Sequence, residues 1–202
     1  GMSYFPLTAP SFNVRIRGPK NTYIKTAAQR SQDPNGGPTE VARNHTGFRF
    51  IPRGDKLVLI NEAGYLRAAT ADAHQAWFRA GSINNTTPYR NESSGRLESD
   101  NYCAYALMDY QVLKSSREHP NQGLYAGGSF MTVPDSLNAY ARYYEARLYK
   151  EAPMRSRPGD VLSVVASRTG YSKIFTDNLV DEGKTVWRAG STITCSYSLQ
   201  AS

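Results

Sequence analysis

Long apolar runs are missing from this sequence, and none approaches the roughly 18 residues of a helical membrane span. The beginning of the chain also lacks the charged segment, apolar core and small-residue cleavage site of a secretory signal peptide. We therefore expect a cytoplasmic protein without a membrane span. With 202 residues, the chain can bury a core either as one large all-β domain or as two small domains.

Cysteine and histidine are also scarce. The two cysteines, Cys103 and Cys195, stand far apart in strand-like runs without CxxC spacing, so we expect two buried free thiols. A disulfide is the alternative if their strands are neighbours. The three histidines, His45, His74 and His119, show neither HxH nor HxxxH spacing, and we expect no metal site.

Sequence signatures of catalysis and of cofactor binding are absent as well. The chain has no GxSxG, P-loop, GxGxxG or HExxH motif. We therefore predict a protein that is not an enzyme and holds no cofactor. A hydrolase whose catalytic residues are dispersed along the chain stays open as an alternative, because such sites are recognised by geometry rather than by spacing.

Strand patterns dominate what is present. Residues 12–18 alternate apolar and polar side chains, and residues 56–68 and 160–175 each read as strand, glycine turn and strand. Residues 102–113 and 139–149 are aromatic-rich segments that we also assign to strands. These short strands and turns predict an all-β fold, namely a single-domain antiparallel β-sandwich of the jelly-roll or Ig-like kind over residues 3–202.

Two features bear on the organisation of this domain. Residues 84–100 and 115–138 are rich in Asn, Ser, Gly and Pro, and we expect them to form loops. Residues 52–83 and 157–193 share Gly-Asp, Gly-Tyr and Arg-Ala-Gly-Ser steps, which indicates a weak internal duplication or only shared turn chemistry.

The net charge of +7 is spread along the chain. Its densest part, residues 142–157, mixes basic residues with tyrosines, a composition that can bind single-stranded nucleic acid. Nucleic-acid-binding domains usually concentrate their charge more strongly. We therefore favour a strand with one charged face and expect no nucleic-acid partner.

A candidate ligand site lies in the polar stretch of residues 31–45. Short polar side chains cluster there between prolines and glycines, and a tryptophan later in the chain offers an apolar platform for a sugar ring: Ser31, Asp33, Asn35, Thr39, His45 and Trp77. Hydroxyl, amide and carboxylate groups of this kind bind sugar hydroxyls or a hard cation. A plain surface turn explains the same composition, since Asp, Asn, Pro and Gly all favour turns.

The stretch also resembles the bacterial inclusion-body protein family of the PixA/AidA type. The resemblance rests on residues 23–25 (Tyr-Ile-Lys), residues 31–34 (Ser-Gln-Asp-Pro), the pair Pro38-Thr39 and His45, with weaker matches at Trp77, Arg79 and Ser82. It covers residues 12–50 and, weakly, 51–110. The resemblance implies an abundant, non-enzymatic β-sandwich of Gram-negative bacteria, and it supplies no catalytic residues.

These observations lead to one functional expectation and two rivals. We expect a non-catalytic protein that binds a ligand such as a carbohydrate or self-associates as a homo-oligomer. The first rival is a storage or assembly protein whose tyrosine-rich strands pack between copies. The second is the dispersed hydrolase.

Overall fold

The structure is a computed structural model that describes residues 11–31, 39, 42, 56–99, 101–154 and 156–200. The strands are, in chain order, β1 (Ser11–Arg17), β2 (Thr22–Arg30), β3 (Leu57–Arg67), β4 (Ala76–Asn85), β5 (Tyr89–Arg90), β6 (Leu97–Glu98), β7 (Asn101–Lys114), β8 (Gly123–Thr132), β9 (Tyr140–Glu151), β10 (Val161–Tyr171) and β11 (Ala189–Ser198). One helix, α1 (Lys173–Asp181), lies between β10 and β11.

Nine strands form one antiparallel sheet in the order β1-β2-β3-β4-β7-β8-β9-β10-β11. Strands β5 and β6 pair separately as a small hairpin within the connection between β4 and β7. The all-β class and the antiparallel pairing are confirmed. The two packed layers of a sandwich are replaced by one sheet, because each strand pairs with its nearest large neighbour in sequence and none crosses to a second sheet among the described residues.

Several predicted turns are continuous strand instead. The turn expected at residues 62–64 lies inside β3, where Gly64 pairs with Tyr23 on one side and Arg79 on the other. The expected second strand of residues 160–175 is replaced by the start of α1, which begins after the N-cap Ser172. The loop expected over residues 115–138 contains β8. These turn predictions were wrong because glycine, which is typical of turns, lies within strands in this sheet.

The other predicted strands are observed in the structure. Of the predicted strands at 12–18, 102–113 and 139–149, all residues except the terminal 18 and 139 lie in strands. The basic stretch at 142–157 is largely β9, whose side chains alternate between the two faces of the sheet. The segments of the weak duplication correspond to β3 with β4 and to β10 with β11, and their common origin stays a prediction.

One face of the sheet carries most of its exposed apolar side chains. Ile16, Ile24, Ala63 and Ala80 lie in one row of register across β1 to β4, so they point to the same side. The solvent-exposed large apolar side chains of the regular strands lie on this side: Phe12, Val14, Ile16, Ile24, Leu59, Phe78, Tyr102, Met108, Tyr110, Phe130, Tyr140, Tyr144, Leu148, Leu162, Val164, Ile193 and Tyr197. We call this side the apolar face.

The opposite side, the polar face, carries most of the charged and hydrogen-bonded side chains. The neighbouring register row passes through Lys25, Glu62, Gly81, Tyr105 and Met131. Because side chains alternate along a strand, each residue of the apolar face is followed in sequence by a residue of the polar face. The sheet thus has little interior of its own, and its two faces differ in chemistry.

The connections differ between the two ends of the sheet. At one end, which we call the turn end, the strands join through residues 18–21, 68–75, 115–122 and 152–160. At the other, the loop end, three of the four connections are longer, at residues 31–56, 86–100, 133–139 and 172–188. The loops pack together there, since Ser172 Oγ donates to the Asp135 carbonyl at 2.6 Å and Asn178 Nδ2 donates to the Glu92 carbonyl at 2.9 Å.

The two cysteines are free thiols, as expected. Cys103 lies on the polar face of β7 and Cys195 on the apolar face of β11, with three strands between them. The expectation that both are buried is wrong, since Cys103 is half-buried and Cys195 is exposed.

Within the described ranges, no helix is long and apolar enough to cross a membrane.

A buried carboxylate ties the chain together at the turn end. Asp160 is only 1% exposed and accepts hydrogen bonds from Arg157 Nε, from the Tyr197 hydroxyl at 2.6 Å and from the Gln200 amide at 3.0 Å. The hydrogen bonds from Tyr197 and Arg157 lower the pKa of Asp160 to about 2. The turn between β9 and β10 is thereby fastened to the end of β11.

We predict that Asp160→Asn lowers the thermal unfolding temperature near neutral pH, and that this difference disappears in acid. A carboxyl whose pKa is lower when folded contributes stability above its unfolded value of about 3.9 and loses it as pH falls toward about 2. Circular dichroism melts across this pH range would measure the effect. Asp72→Asn is the control, since Asp72 is exposed in a long 3.8 Å pair with Arg117. A difference that persists unchanged at pH 2 would contradict the prediction.

Candidate functional site

A hydrogen-bonded aromatic cluster occupies the polar face across β2, β3, β4 and β7. Its centre is Glu62, whose Oε1 accepts the Tyr23 hydroxyl at 2.8 Å and whose Oε2 accepts the Tyr105 hydroxyl at 3.0 Å. Trp77 Nε1 donates in turn to the Tyr23 hydroxyl at 3.1 Å. Four strands that are neighbours in the sheet are therefore joined through their side chains as well as their backbones.

Two guanidinium groups lie flat on the rings of this cluster. The Arg15 guanidinium carbon is 4.0 Å from the centroid of the Tyr23 ring, and that of Arg79 is 3.7 Å from the centroid of the Trp77 ring. Both distances are within the range of cation–π attraction. We call these six residues the aromatic–arginine cluster: Arg15, Tyr23, Glu62, Trp77, Arg79 and Tyr105.

Glycine makes the flat arrangement of the rings possible. A Cβ atom on Gly64 would overlap the ring of Tyr23, and one on Gly81 would lie 2.7 Å from the Tyr105 hydroxyl oxygen. Each tyrosine thus covers a glycine on the adjacent strand, an arrangement known to stabilise glycine-containing sheets. The rings lie along the wall of the sheet rather than projecting from it.

A second cluster on the same face is built around an arginine. Arg147 on β9 donates from Nη2 to Asp109 Oδ2 at 2.7 Å and from Nη1 to Glu145 Oε1 at 2.6 Å. Arg147 Nη1 also donates to Ser129 Oγ at 2.8 Å, and the Tyr143 hydroxyl donates to Glu145 Oε2 at 2.6 Å. The three charged side chains are only 17%, 11% and 18% exposed, so this ion-pair cluster is largely enclosed.

The structure brings only one of the sequence-predicted site residues into these clusters. Trp77 belongs to the aromatic–arginine cluster. Ser31 is buried at the end of β2, where its amide donates to the Lys56 carbonyl, and Thr39 is half-buried. Asp33, Asn35 and His45 lie outside the described residues. Whether the 31–45 stretch binds a ligand therefore stays a prediction.

Sequence reasoning missed the partners of Trp77. The signal was present in the alternation of β2, β3 and β4, which sets Tyr23, Glu62 and Arg79 on the face opposite Ile24, Ala63 and Phe78. This alternation was not recognised because a turn was expected at Gly64, which would have interrupted β3. Only the pairing of β2 with β3 and of β3 with β4 places these residues in one cluster.

Comparison with known proteins identifies the chain's relatives. A sequence model of the family described as "Carbohydrate-selective porin, OprB family" matches residues 1–202. Among solved structures, that of Pseudomonas putida OprB at high pH superposes with a TM-score of 0.76 at 14% sequence identity, covering 96% of this chain. At that identity the likeness concerns the fold alone. The chain spans 51% of the length of that solved chain. No curated protein sequence matches.

These findings correct several expectations. The inclusion-body resemblance is wrong, because the whole sequence matches a porin family instead. A cytoplasmic location is wrong for the same reason, since a porin is a membrane channel. The absence of long apolar runs misled us because it tests only helical spans, whereas strands in a membrane alternate apolar and polar residues. The storage or assembly function is set aside with the inclusion-body family.

Two expectations agree with the match. A protein that is not an enzyme is confirmed, because porins are channels. A carbohydrate as the partner class agrees with the description of the family. Self-association stays a prediction.

We predict that Arg147→Met destabilises the protein by about 2–4 kcal/mol, since it leaves Asp109 and Glu145 enclosed without a counter-charge. Urea unfolding in detergent, followed by circular dichroism, measures this. The control Arg117→Met should cost less than about 1 kcal/mol, because Arg117 is 84% exposed in a long pair with Asp72. Equal losses in both variants would show that the ion-pair cluster does not stabilise the sheet.

Proposed function

The chain belongs to the OprB family of carbohydrate-selective porins, and from this premise we propose that its sheet forms part of the wall of a membrane channel for carbohydrates. The observation that carries the proposal is the division of the sheet into an apolar and a polar face. In a channel wall built of strands, the apolar face meets lipid and the polar face meets the aqueous lumen.

The distribution of aromatic residues supports this orientation. On the apolar face, Tyr102 and Tyr140 lie near the loop end, whereas Tyr110 and Tyr197 lie near the turn end. Aromatic side chains concentrate at the two membrane–water interfaces, where their rings are buried and their polar groups reach water. The shorter aliphatic side chains between the two levels form the band that would face the acyl chains.

The connections suggest which end faces outward. Strand proteins of the bacterial outer membrane have short periplasmic turns and longer external loops. The turn end, with connections such as residues 18–21, fits the periplasmic side. The loop end, where α1 and the β5–β6 hairpin pack against one another, fits the external side.

The open edges of the sheet indicate how the channel wall closes. In the described part of the chain, β1 pairs only with β2, and β11 pairs only with β10. Nine antiparallel strands place β1 and β11 in the same direction. If a second copy with the same membrane orientation met these edges, its edge strand would pair with β1 or β11 in parallel. An odd number of further strands would instead close the wall with antiparallel pairs throughout. The 51% share of the P. putida OprB chain that is matched agrees with a wall completed by additional strands.

The aromatic–arginine cluster is the surface of this wall best suited to carbohydrate. It presents the guanidinium planes of Arg15 and Arg79, stacked on aromatic rings, which pack against the C–H face of a sugar ring, next to N–H donors that bond hydroxyl groups. Its flat arrangement over glycines leaves the adjoining lumen open.

The two native cysteines test the assignment of the faces. In lipid vesicles, a hydrophilic maleimide should label Cys103 in a Cys195→Ser variant and leave Cys195 unlabelled in a Cys103→Ser variant. Cys195 is the more exposed thiol of the isolated chain, so its protection would come from lipid on the apolar face. Both thiols should react after unfolding in detergent. Labelling of Cys195 with protection of Cys103 would reverse the assignment.

A swelling assay tests the channel itself. Vesicles carrying the protein should swell in isosmotic glucose, and Trp77→Ala should slow the swelling severalfold because it removes the larger ring of the cluster. Phe78→Ala is the matched control, since Phe78 follows Trp77 on β4 but lies on the apolar face. Swelling no faster than in protein-free vesicles would contradict the proposal.

A further inference from the structure

The charges of the polar face are divided between two groups of strands. On β1 to β4, the charged side chains of this face are Arg15, Arg17, Lys25, Glu62 and Arg79, four cations against one carboxylate and a net +3. On β7 to β9, the charged side chains of this face are Asp109, Lys114, Glu145, Arg147 and Glu151, two cations against three carboxylates and a net −1. The separation leaves positive charge concentrated at the aromatic–arginine cluster.

The cations of β1 to β4 keep their hydrogen-bond donors. Among the described residues, none of the four forms a salt bridge or donates a hydrogen bond, in contrast to Arg147, which is surrounded by acceptors. Arg15 and Arg79 are held by ring contacts alone. Stacking uses the plane of a guanidinium and leaves its edge of N–H groups available.

Glu62 does not occupy the N–H donors of Arg15 and Arg79. Each of its oxygens already accepts a tyrosine hydroxyl, from Tyr23 and from Tyr105. The carboxylate is thus engaged in holding the rings in place. The two guanidinium groups lie on rings joined by the 3.1 Å bond from Trp77 to Tyr23, so both donor edges border one small area of the wall.

We propose that this area binds sugars that carry an anionic group, a carboxylate or a phosphate, in preference to neutral sugars. The inference rests on the proposed function and names its substrate class. A guanidinium binds a carboxylate or phosphate through two parallel hydrogen bonds, and these charge-assisted bonds are stronger than those to a hydroxyl. Arg15 and Arg79 hold the anionic group, while the half-buried Trp77 side chain, rather than the buried Tyr23 ring, contacts the sugar. The enclosed Arg147 takes no part.

The chain contains a reporter for this area. Trp77 and Trp187 are its two tryptophans, and Trp187 is 84% exposed in the connection before β11. A Trp187→Phe variant therefore leaves Trp77, inside the cluster, as the single source of tryptophan fluorescence. Titrations in detergent with glucuronate, glucose 6-phosphate, glucose, acetate and inorganic phosphate compare the ligand classes, with circular dichroism confirming the fold of each variant.

Half-saturation of the Trp77 signal should occur at an about three- to tenfold lower concentration of glucuronate or glucose 6-phosphate than of glucose. Arg15→Gln combined with Arg79→Gln should abolish that difference. Arg117→Gln, which removes the same kind of charge from the turn between β7 and β8, should preserve it. The relative strength of glucuronate and glucose 6-phosphate identifies which anionic group the site prefers.

The remaining outcomes overturn the inference in distinguishable ways. If glucose and the acidic sugars reach half-saturation at equal concentrations, the preference for anionic sugars is wrong and the channel proposal is unaffected. Acetate or phosphate as effective as the acidic sugars shows an anion site without sugar recognition. No response to any sugar, together with no swelling in glucose, overturns both proposals.

Discussion

Backbone hydrogen bonds join nine strands side by side, and this leaves every side chain on one of two faces. The main features of the molecule depend on that constraint, because the sheet is one layer and has no second sheet or helical layer against it in the described residues. A single layer cannot bury a large core of its own, so apolar side chains such as Ile16 and Ile193 are 65% and 76% exposed. A fold of this kind is stable only where its apolar face meets a medium other than water.

The side chains of the polar face hold neighbouring strands together, yet they lie close to the sheet and leave the space above it open. Glycines at positions 64, 81 and 127 let the rings and the ion pair lie along the wall. Glu62 and Arg147 each connect side chains of neighbouring strands through hydrogen bonds. These lateral contacts add side-chain pairing to the backbone ladder, and their low profile suits the proposed water-filled lumen.

Arginine serves two purposes on this face, and its neighbours decide which. Arg147 is surrounded by carboxylates and acts as a structural tie, since its donors are already used. Arg79 and Arg15 lie on rings and retain theirs. The hydrogen-bond donors of the same side chain are thus occupied in one cluster and available in the other, a distinction that depends on the residues on the neighbouring strands.

The amino-acid pattern was sufficient to predict the strand class and much of the alternation between the two faces. Phe12, Val14 and Ile16 mark one face of β1 with no knowledge of its partners, because side chains in a strand alternate with a period of two. The spacing of the cysteines and the absence of catalytic motifs also pointed correctly to free thiols and to a protein that is not an enzyme. The number of layers and the composition of the clusters follow from strand pairing instead. Alternation with one apolar face fits a sandwich as well as a single sheet, since the pattern does not say what covers that face. Pairing of β2, β3 and β4 brought Tyr23, Glu62 and Trp77 together from distant positions, and local sequence contains no information about the register that does so.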